Sequence, residues 1–181
     1  TSDLWNASNE GKENVVAMSD VDSGEYTKTS RDRFPKAQFF KDYREMFDEV
    51  KDIDAVTIST PDHMHAIQAI AAMQRGINVY VQKPLTHNIR EARMLTEMAR
   101  ENKIVTQMGN QGASNSGMTK VQEWFNDGKI GTVDEVFVWT NRPVWPQGIP
   151  VPKPTGSSSP DHLDWDLWLG TAPEIPYSDA Y

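Results

Sequence analysis

Apolar positions along this chain fall into short runs broken by polar turns, and the clearest pattern lies between Asp54 and Leu85. Ala55 to Ser59 is apolar and β-branched, which predicts a short strand. Thr60 and Pro61 stop it and open a helix, since a threonine oxygen can accept an orphan N–H and proline at the first helical position has none to lose. Met64, Ile67, Ile70 and Ala71 fall on one helical face, and Gly76 supplies a left-handed stop. Asn78 to Gln82 is the next strand. Strand, helix and strand joined by short loops form a βαβ unit, whose crossover is right-handed and whose strands are parallel. Such sheets bind ligands at the carboxyl ends of their strands. Here those ends carry Thr60-Pro61-Asp62-His63-Met64-His65 and Gln82-Lys83-Pro84.

The flanks extend the alternation. Ser2 to Ala7 reads as the tail of a helix, Val15 to Ser19 as a strand ending on Asp20, and Gly24 to Phe34 as a weak helix ended by Pro35. Ala37 to Phe40 is extended, and Tyr43, Met46, Phe47 and Val50 make a helical face. Thr86 is placed to cap a further helix with Ile89, Ala92, Leu95 and Ala99 on one side, and Ile104 to Met108 is a strand. The sustained alternation predicts an α/β fold with a Rossmann-like, doubly wound parallel sheet. An acid at the end of the second strand of such a sheet receives ribose hydroxyls; Asp20 fits that role, and equally fits the start of a plain turn.

Beyond Met108 the rhythm changes. Gly117 to Asn126 predicts a helix striped with Met118, Val121, Trp124 and Phe125, and Val133 to Thr140 alternates as a strand of a sheet buried on much of both faces. A proline-rich stretch from Asn141 to His162 is too irregular for a regular element, and Trp165, Trp168 and Leu169 re-anchor the chain. The change falls near residue 110 and separates 1–110 from 111–181.

Composition narrows the chemistry. The 181 residues have room for one domain and part of another, and 38% are hydrophobic with no run of membrane-spanning length, so no membrane role is expected. A net charge of -8 argues against a nucleic-acid surface. The absence of cysteine excludes disulfides and thiolate catalysis. His63 and His65, two apart on a helix, point to different faces, so no metal set is expected. His87 and His162 read as surface residues, and the compartment is left open.

With these segments in order, the sequence resembles the Gfo/Idh/MocA family of oxidoreductases. The carriers are Ser19-Asp20-Val21-Asp22, Thr60 to His65, Val79-Tyr80-Val81-Gln82-Lys83-Pro84, Gln107-Met108-Gly109-Asn110-Gln111, and Asp164-Trp165-Asp166-Leu167-Trp168-Leu169-Gly170. It looks most like the subgroup that writes the family's Glu-Lys-Pro as Gln-Lys-Pro. The resemblance implies an NAD(P)-dependent enzyme acting on a sugar, polyol or glycoside, with a C-terminal sheet that often forms a homo-oligomer. It also implies that 1–110 is a partial nucleotide-binding domain and 111–181 the beginning of a second α/β domain. By position, Asp20 would hold the adenosine ribose, Thr60, Pro61, His65 and Gln82 would line the cofactor, and Lys83 would sit by the nicotinamide and the substrate hydroxyl as the catalytic group. Asn110 would lie at the same mouth. Asp20 favours NAD over NADP, because a carboxylate repels a 2′-phosphate.

Other readings stand beside these. Lys83 can be an ordinary surface lysine, and His63 or His65 can simply satisfy backbone groups at a helix start. Trp165 and Trp168 suit domain packing, while Trp145 with Arg142 in the proline-rich stretch is the better sugar-contact pair. The glycine-rich turn of a Rossmann site is expected before Thr1, and the family's Asp and His acid/base pair beyond Tyr181. On that reading the piece alone is inactive. Besides a dehydrogenase, the sequence admits a redox-assisted glycoside hydrolase or lyase, and a regulator that binds nucleotide and sugar without turnover.

Overall fold

The structure is a computed structural model that describes residues 2–141, 150 and 152–180. The chain divides into two compact units, one made of 1–109 with 154–179, the other of 110–153 with 180–181.

In the first unit, α1 (Ser2–Ala7) leads through a polar loop to β1 (Ala17–Ser19), then α2 (Glu25–Arg33), β2 (Gln38–Phe40) and α3 (Tyr43–Glu49). β1 and β2 pair in parallel. Asp42 caps α3 by accepting the Arg44 N–H at 2.8 Å, and Met46 and Phe47 on its inner face are buried. β3 (Ala55–Ile58), α4 (His65–Met73), β4 (Asn78–Gln82), α5 (Ile89–Glu101) and β5 (Thr106–Gly109) follow. β4 is central, in parallel register with β3 on one side and β5 on the other, so the predicted βαβ unit is present.

The core lies between this sheet and the helices. Val79 and Val81 of β4 point into it and meet Ala69, Ala72 and Met73 of α4 and Leu95 of α5. Burying each such branched side chain stabilises the fold by about 1.5–3 kcal/mol. The buried residues of α4 are His65, Ala66, Ala69, Ala72 and Met73; of the four residues expected on the core side Met64 is buried, Ile70 and Ala71 pack against the core, and Ile67 is exposed. Small residues let the helix approach the sheet closely, so the alanines at 66, 69 and 72 share its inner side with the larger apolar residues. Gly76 stops this helix at φ 78, in the left-handed region as expected.

Two expected caps differ. The Thr60 hydroxyl donates to Gln68 Oε1 at 2.7 Å instead of capping, and a single 3-10 turn over Asp62–Met64 precedes α4. Asn88, not Thr86, caps α5. Its side chain accepts the Glu91 N–H at 3.0 Å, while the Glu91 carboxylate accepts the Asn88 N–H at 3.3 Å. This reciprocal box satisfies two orphan donors at once, which a threonine two residues too early does not.

After the second unit the chain returns to the first. α7 (Trp165–Leu169) is capped by Asp164, Leu169 is buried, and Trp165 stacks on Trp168 with ring centres 4.7 Å apart. The two tryptophans thus pack with the domain, as the three-residue spacing suggested.

The second unit holds a 3-10 turn over Gln111–Ser114 and α6 (Ser116–Asn126), capped by Asn115. The apolar stripe of α6 is exposed, with Phe125 at 57%. The strand expected over Val133 to Thr140 does not form. The backbone there is irregular, with Val138 92% and Trp139 86% exposed. Alternation marks where a strand can form, but a strand exists only with a ladder partner for its N–H and C=O groups.

Candidate functional site

The carboxyl ends of β1, β3, β4 and β5 carry the residues that the sequence singled out. At the end of β1 the Asp20 N–H donates to the Phe40 carbonyl at 3.1 Å, prolonging the ladder, and its Oδ1 accepts the Asp22 N–H at 3.0 Å. Burial holds the Asp20 carboxyl above the usual carboxylate range. The Asp22 N–H pulls it down and the neighbouring Asp22 charge pushes it up. No side-chain cation pairs with it among the described residues. A half-buried acid without a side-chain cation beside it among the described residues can accept hydrogen bonds from donor hydroxyls.

The turn after Asp20 is clasped from far along the chain. Asp22 and Leu163 form an antiparallel bridge, the Ser23 N–H donates to the His162 carbonyl at 2.9 Å, and the Asp164 N–H donates to the Val21 carbonyl at 3.0 Å. His162 Nδ1 lies 3.0 Å from Asp22 Oδ1, which also accepts the Gly24 N–H at 2.6 Å. His162 is exposed, yet it is a partner of this turn rather than an idle surface residue. Its distance along the chain from Asp22 hides that from local pattern.

At the end of β3, Pro61 is exposed at the mouth of the 3-10 turn, and Thr60 is half-buried. His65 is 1% exposed, with Nε2 2.8 Å from the Thr60 carbonyl oxygen and Nδ1 2.6 Å from that of Pro84. The ring therefore joins the turns after β3 and β4. His63 Nε2 lies 3.0 Å from the Leu169 carbonyl oxygen, and its ring meets the edge of Trp168, tying α7 to the same region.

At the end of β4, Lys83 is exposed, and its ammonium has no hydrogen-bond or ion-pair partner among the described residues. The Lys83–Pro84 peptide is cis. The Lys83 N–H donates to Gln82 Oε1 at 3.0 Å; Gln82 Nε2 donates to Asp3 Oδ2, also at 3.0 Å. Gly109 ends β5 opposite Gln82, and a Cβ there would lie 2.6 Å from Gln82 Oε1. Asn110, next in the chain, begins the second unit and is exposed. Arg142 and Trp145 lie outside the described residues.

The end of the two-stranded sheet thus carries a half-buried acid, and the end of the three-stranded sheet carries an ammonium without a partner among the described residues and a close backbone approach at Gly109. Asp20 suits the two ribose hydroxyls, and Lys83 suits a hydroxyl or developing alkoxide.

A profile of the oxidoreductase family with an NAD-binding Rossmann fold matches residues 2–110. Levoglucosan dehydrogenase of Pseudarthrobacter phenanthrenivorans is 28% identical over 101 residues, covering 56% of this chain and 26% of that protein. The 2,7-anhydro-N-acetylneuraminate hydratase of Mediterraneibacter gnavus is 26% identical over 83 residues, 46% of this chain and 22% of that one. The match thus spans about a quarter of these relatives' length. The WlbA (WbpB) dehydrogenase of Thermus thermophilus, solved with NAD and alpha-ketoglutarate, superposes with a TM-score of 0.61 at 21% identity. That superposition covers 68% of this chain and 42% of the other, and at this identity the likeness is one of fold.

Proposed function

Since this chain belongs to the oxidoreductase family with the NAD-binding Rossmann fold, we propose that the whole protein is a dehydrogenase that moves hydride between NAD and a hydroxyl-bearing carbon of a sugar, polyol or glycoside. The observation that carries this reading is Lys83, an exposed ammonium without a partner among the described residues, held at the end of the central strand. When bound, NAD supplies the hydride acceptor. Lys83 stabilises the negative charge that develops on the substrate oxygen as its proton leaves, or passes that proton on. Asp20 accepts hydrogen bonds from the adenosine ribose and disfavours a 2′-phosphate there, which selects NAD over NADP. His65 serves by bracing the turns that bear Thr60 and Pro84, and Thr60, Pro61 and Gln82 form the wall beside the cofactor.

Asn110 at the mouth, and Arg142 with Trp145 as sugar contacts, complete the proposal on the sequence alone. Assembly through a C-terminal sheet belongs to it too, and the exposed side chains of Val138 and Trp139 are the kind of surface that such a sheet would cover.

The hydratase among the relatives favours one second reading, a net non-redox reaction on the same fold. The two separate in a single assay. The full-length protein is incubated with NAD and a panel of inositols, levoglucosan and nitrophenyl glycosides, with NADH and nitrophenol followed in the same wells. NADH accumulation supports the dehydrogenase. Nitrophenol without NADH supports the redox-assisted glycosidase, and silence in both overturns catalysis on this substrate class.

A further inference from the structure

Gln82 of the Gln-Lys-Pro turn does more than form part of the wall beside the cofactor. Its side-chain amide works at both ends. Oε1 accepts the Lys83 backbone N–H at 3.0 Å, and Nε2 donates to Asp3 Oδ2 at 3.0 Å. The same Asp3 oxygen accepts the Ser59 hydroxyl at 2.8 Å, so the acid on α1 binds the ends of both β3 and β4. Room for the amide comes from Gly109, where a Cβ would lie 2.6 Å from Gln82 Oε1 and 2.9 Å from the Tyr80 hydroxyl.

This geometry has a chemical requirement. The side chain at position 82 must accept toward Lys83 and donate toward Asp3. Ionised glutamate only accepts, and it would set a second carboxylate against the first. Glutamine does both at that length, which accounts for Gln82 where the resembling family writes Glu.

We propose that Asp3 is a positioning residue for Lys83, acting through the Gln82 amide, and that acid and amide form a matched pair. The proposal rests on the reading of Lys83 as a group that faces the nicotinamide. With Asp3 in place, the amide is fixed at one end and the Lys83 N–H at the other, so the turn presents its ammonium in one direction. With Asp3 removed, Gln82 has no outer anchor and Lys83 is no longer held to the cofactor.

The test uses the full-length protein and needs no substrate. Lys83 is acetylated with acetic anhydride with and without saturating NAD, and protection is read by peptide mass spectrometry. NAD affinity is followed in parallel by tryptophan fluorescence. In wild type, NAD protects Lys83. In Asp3→Ala and in Gln82→Glu the protection falls at least threefold, and in Asp3→Ala, which alters no residue of the cofactor wall, NAD affinity stays within about twofold. The double variant Asp3→Asn/Gln82→Glu regains it, because the asparagine amide donates to the new carboxylate and restores the bond with reversed polarity. Undiminished protection in Asp3→Ala, or a double variant no better than Gln82→Glu, overturns the pairing. Lack of protection in wild type overturns the reading of Lys83 itself, a distinct result that takes the proposal with it. If Asp3→Ala fails to fold, the comparison of Gln82→Glu with the double variant still decides.

Discussion

His65 and Pro84 belong to different turns, yet the Nδ1 of the buried histidine lies 2.6 Å from the proline carbonyl oxygen. Its other ring nitrogen lies 2.8 Å from the Thr60 carbonyl oxygen. One side chain therefore serves two turns that frame Lys83. Replacing it by alanine removes both ties and leaves a void beside the Thr60 and Pro84 carbonyls. The expected loss is about 2–4 kcal/mol, read as a lower urea midpoint in His65→Ala.

Asp20 sets function against stability. Burial raises its carboxyl above the usual range, the Asp22 charge adds to that, and the Asp22 N–H opposes it. A raised folded-state value means that stability is full below the unfolded carboxylate value and is lost as pH climbs through the folded one. Asn accepts the same Asp22 N–H without a charge. Asp20→Asn is therefore expected to melt higher than wild type at neutral pH, with the gap closing in acid. It is also expected to bind NAD roughly tenfold or more weakly, as charge-assisted hydrogen bonds to the ribose are lost. Thermal scans across pH and a binding titration check both halves.

Two glycines with positive φ should respond differently to alanine. Gly76, at φ 78, has nothing within 4 Å of an added Cβ. Gly170, at φ 54, would drive a Cβ into the Met64 thioether. Gly76→Ala is expected to cost about 1 kcal/mol for the left-handed backbone alone, and Gly170→Ala about 2–4 kcal/mol once the overpacking is added. Urea midpoints of the two variants, measured side by side, test the difference.

The cap of α3 carries its own pH signature. The Arg44 side chain, bonded to the Asp42 carboxylate, holds its carboxyl below the usual range; burial opposes this and the Arg44 N–H adds to it. A depressed value gives stability that is present above the unfolded carboxylate value and lost as pH falls through the folded one. Asp42→Ala is expected to cost about 1 kcal/mol at neutral pH, with the penalty shrinking in acid. Unfolding curves at several pH values check it.

Local pattern was most informative where one residue type decides one conformation. The β4 strand, the Gly76 stop and the parallel βαβ unit all follow from β-branched alternation and a single glycine, and the structure has them. It was least informative where a partner decides. The alanine face of α4 is buried because a sheet approaches it, and the Val133 to Thr140 segment forms no strand because alternation supplies no neighbour. The candidate site shows the same division. Asp20, Lys83 and Gly109 were visible as strand-end residues, whereas the service of His162 to Asp22 and of Asp3 to Gln82 depends on chain segments far apart.

The clasp on the Asp20 turn bears on the order in which the protein matures. The β3–β4–β5 sheet is built from local contacts and can pack as soon as residues up to Gly109 have been made. The Asp22–Leu163 bridge closes across a whole intervening unit, so its entropic cost is met late. During synthesis the sheet exists before the Asp20 turn is finished. A nascent chain halted ahead of Pro160 would carry a folded sheet with an open turn, and the turn is clasped only when the last stretch of the first unit arrives.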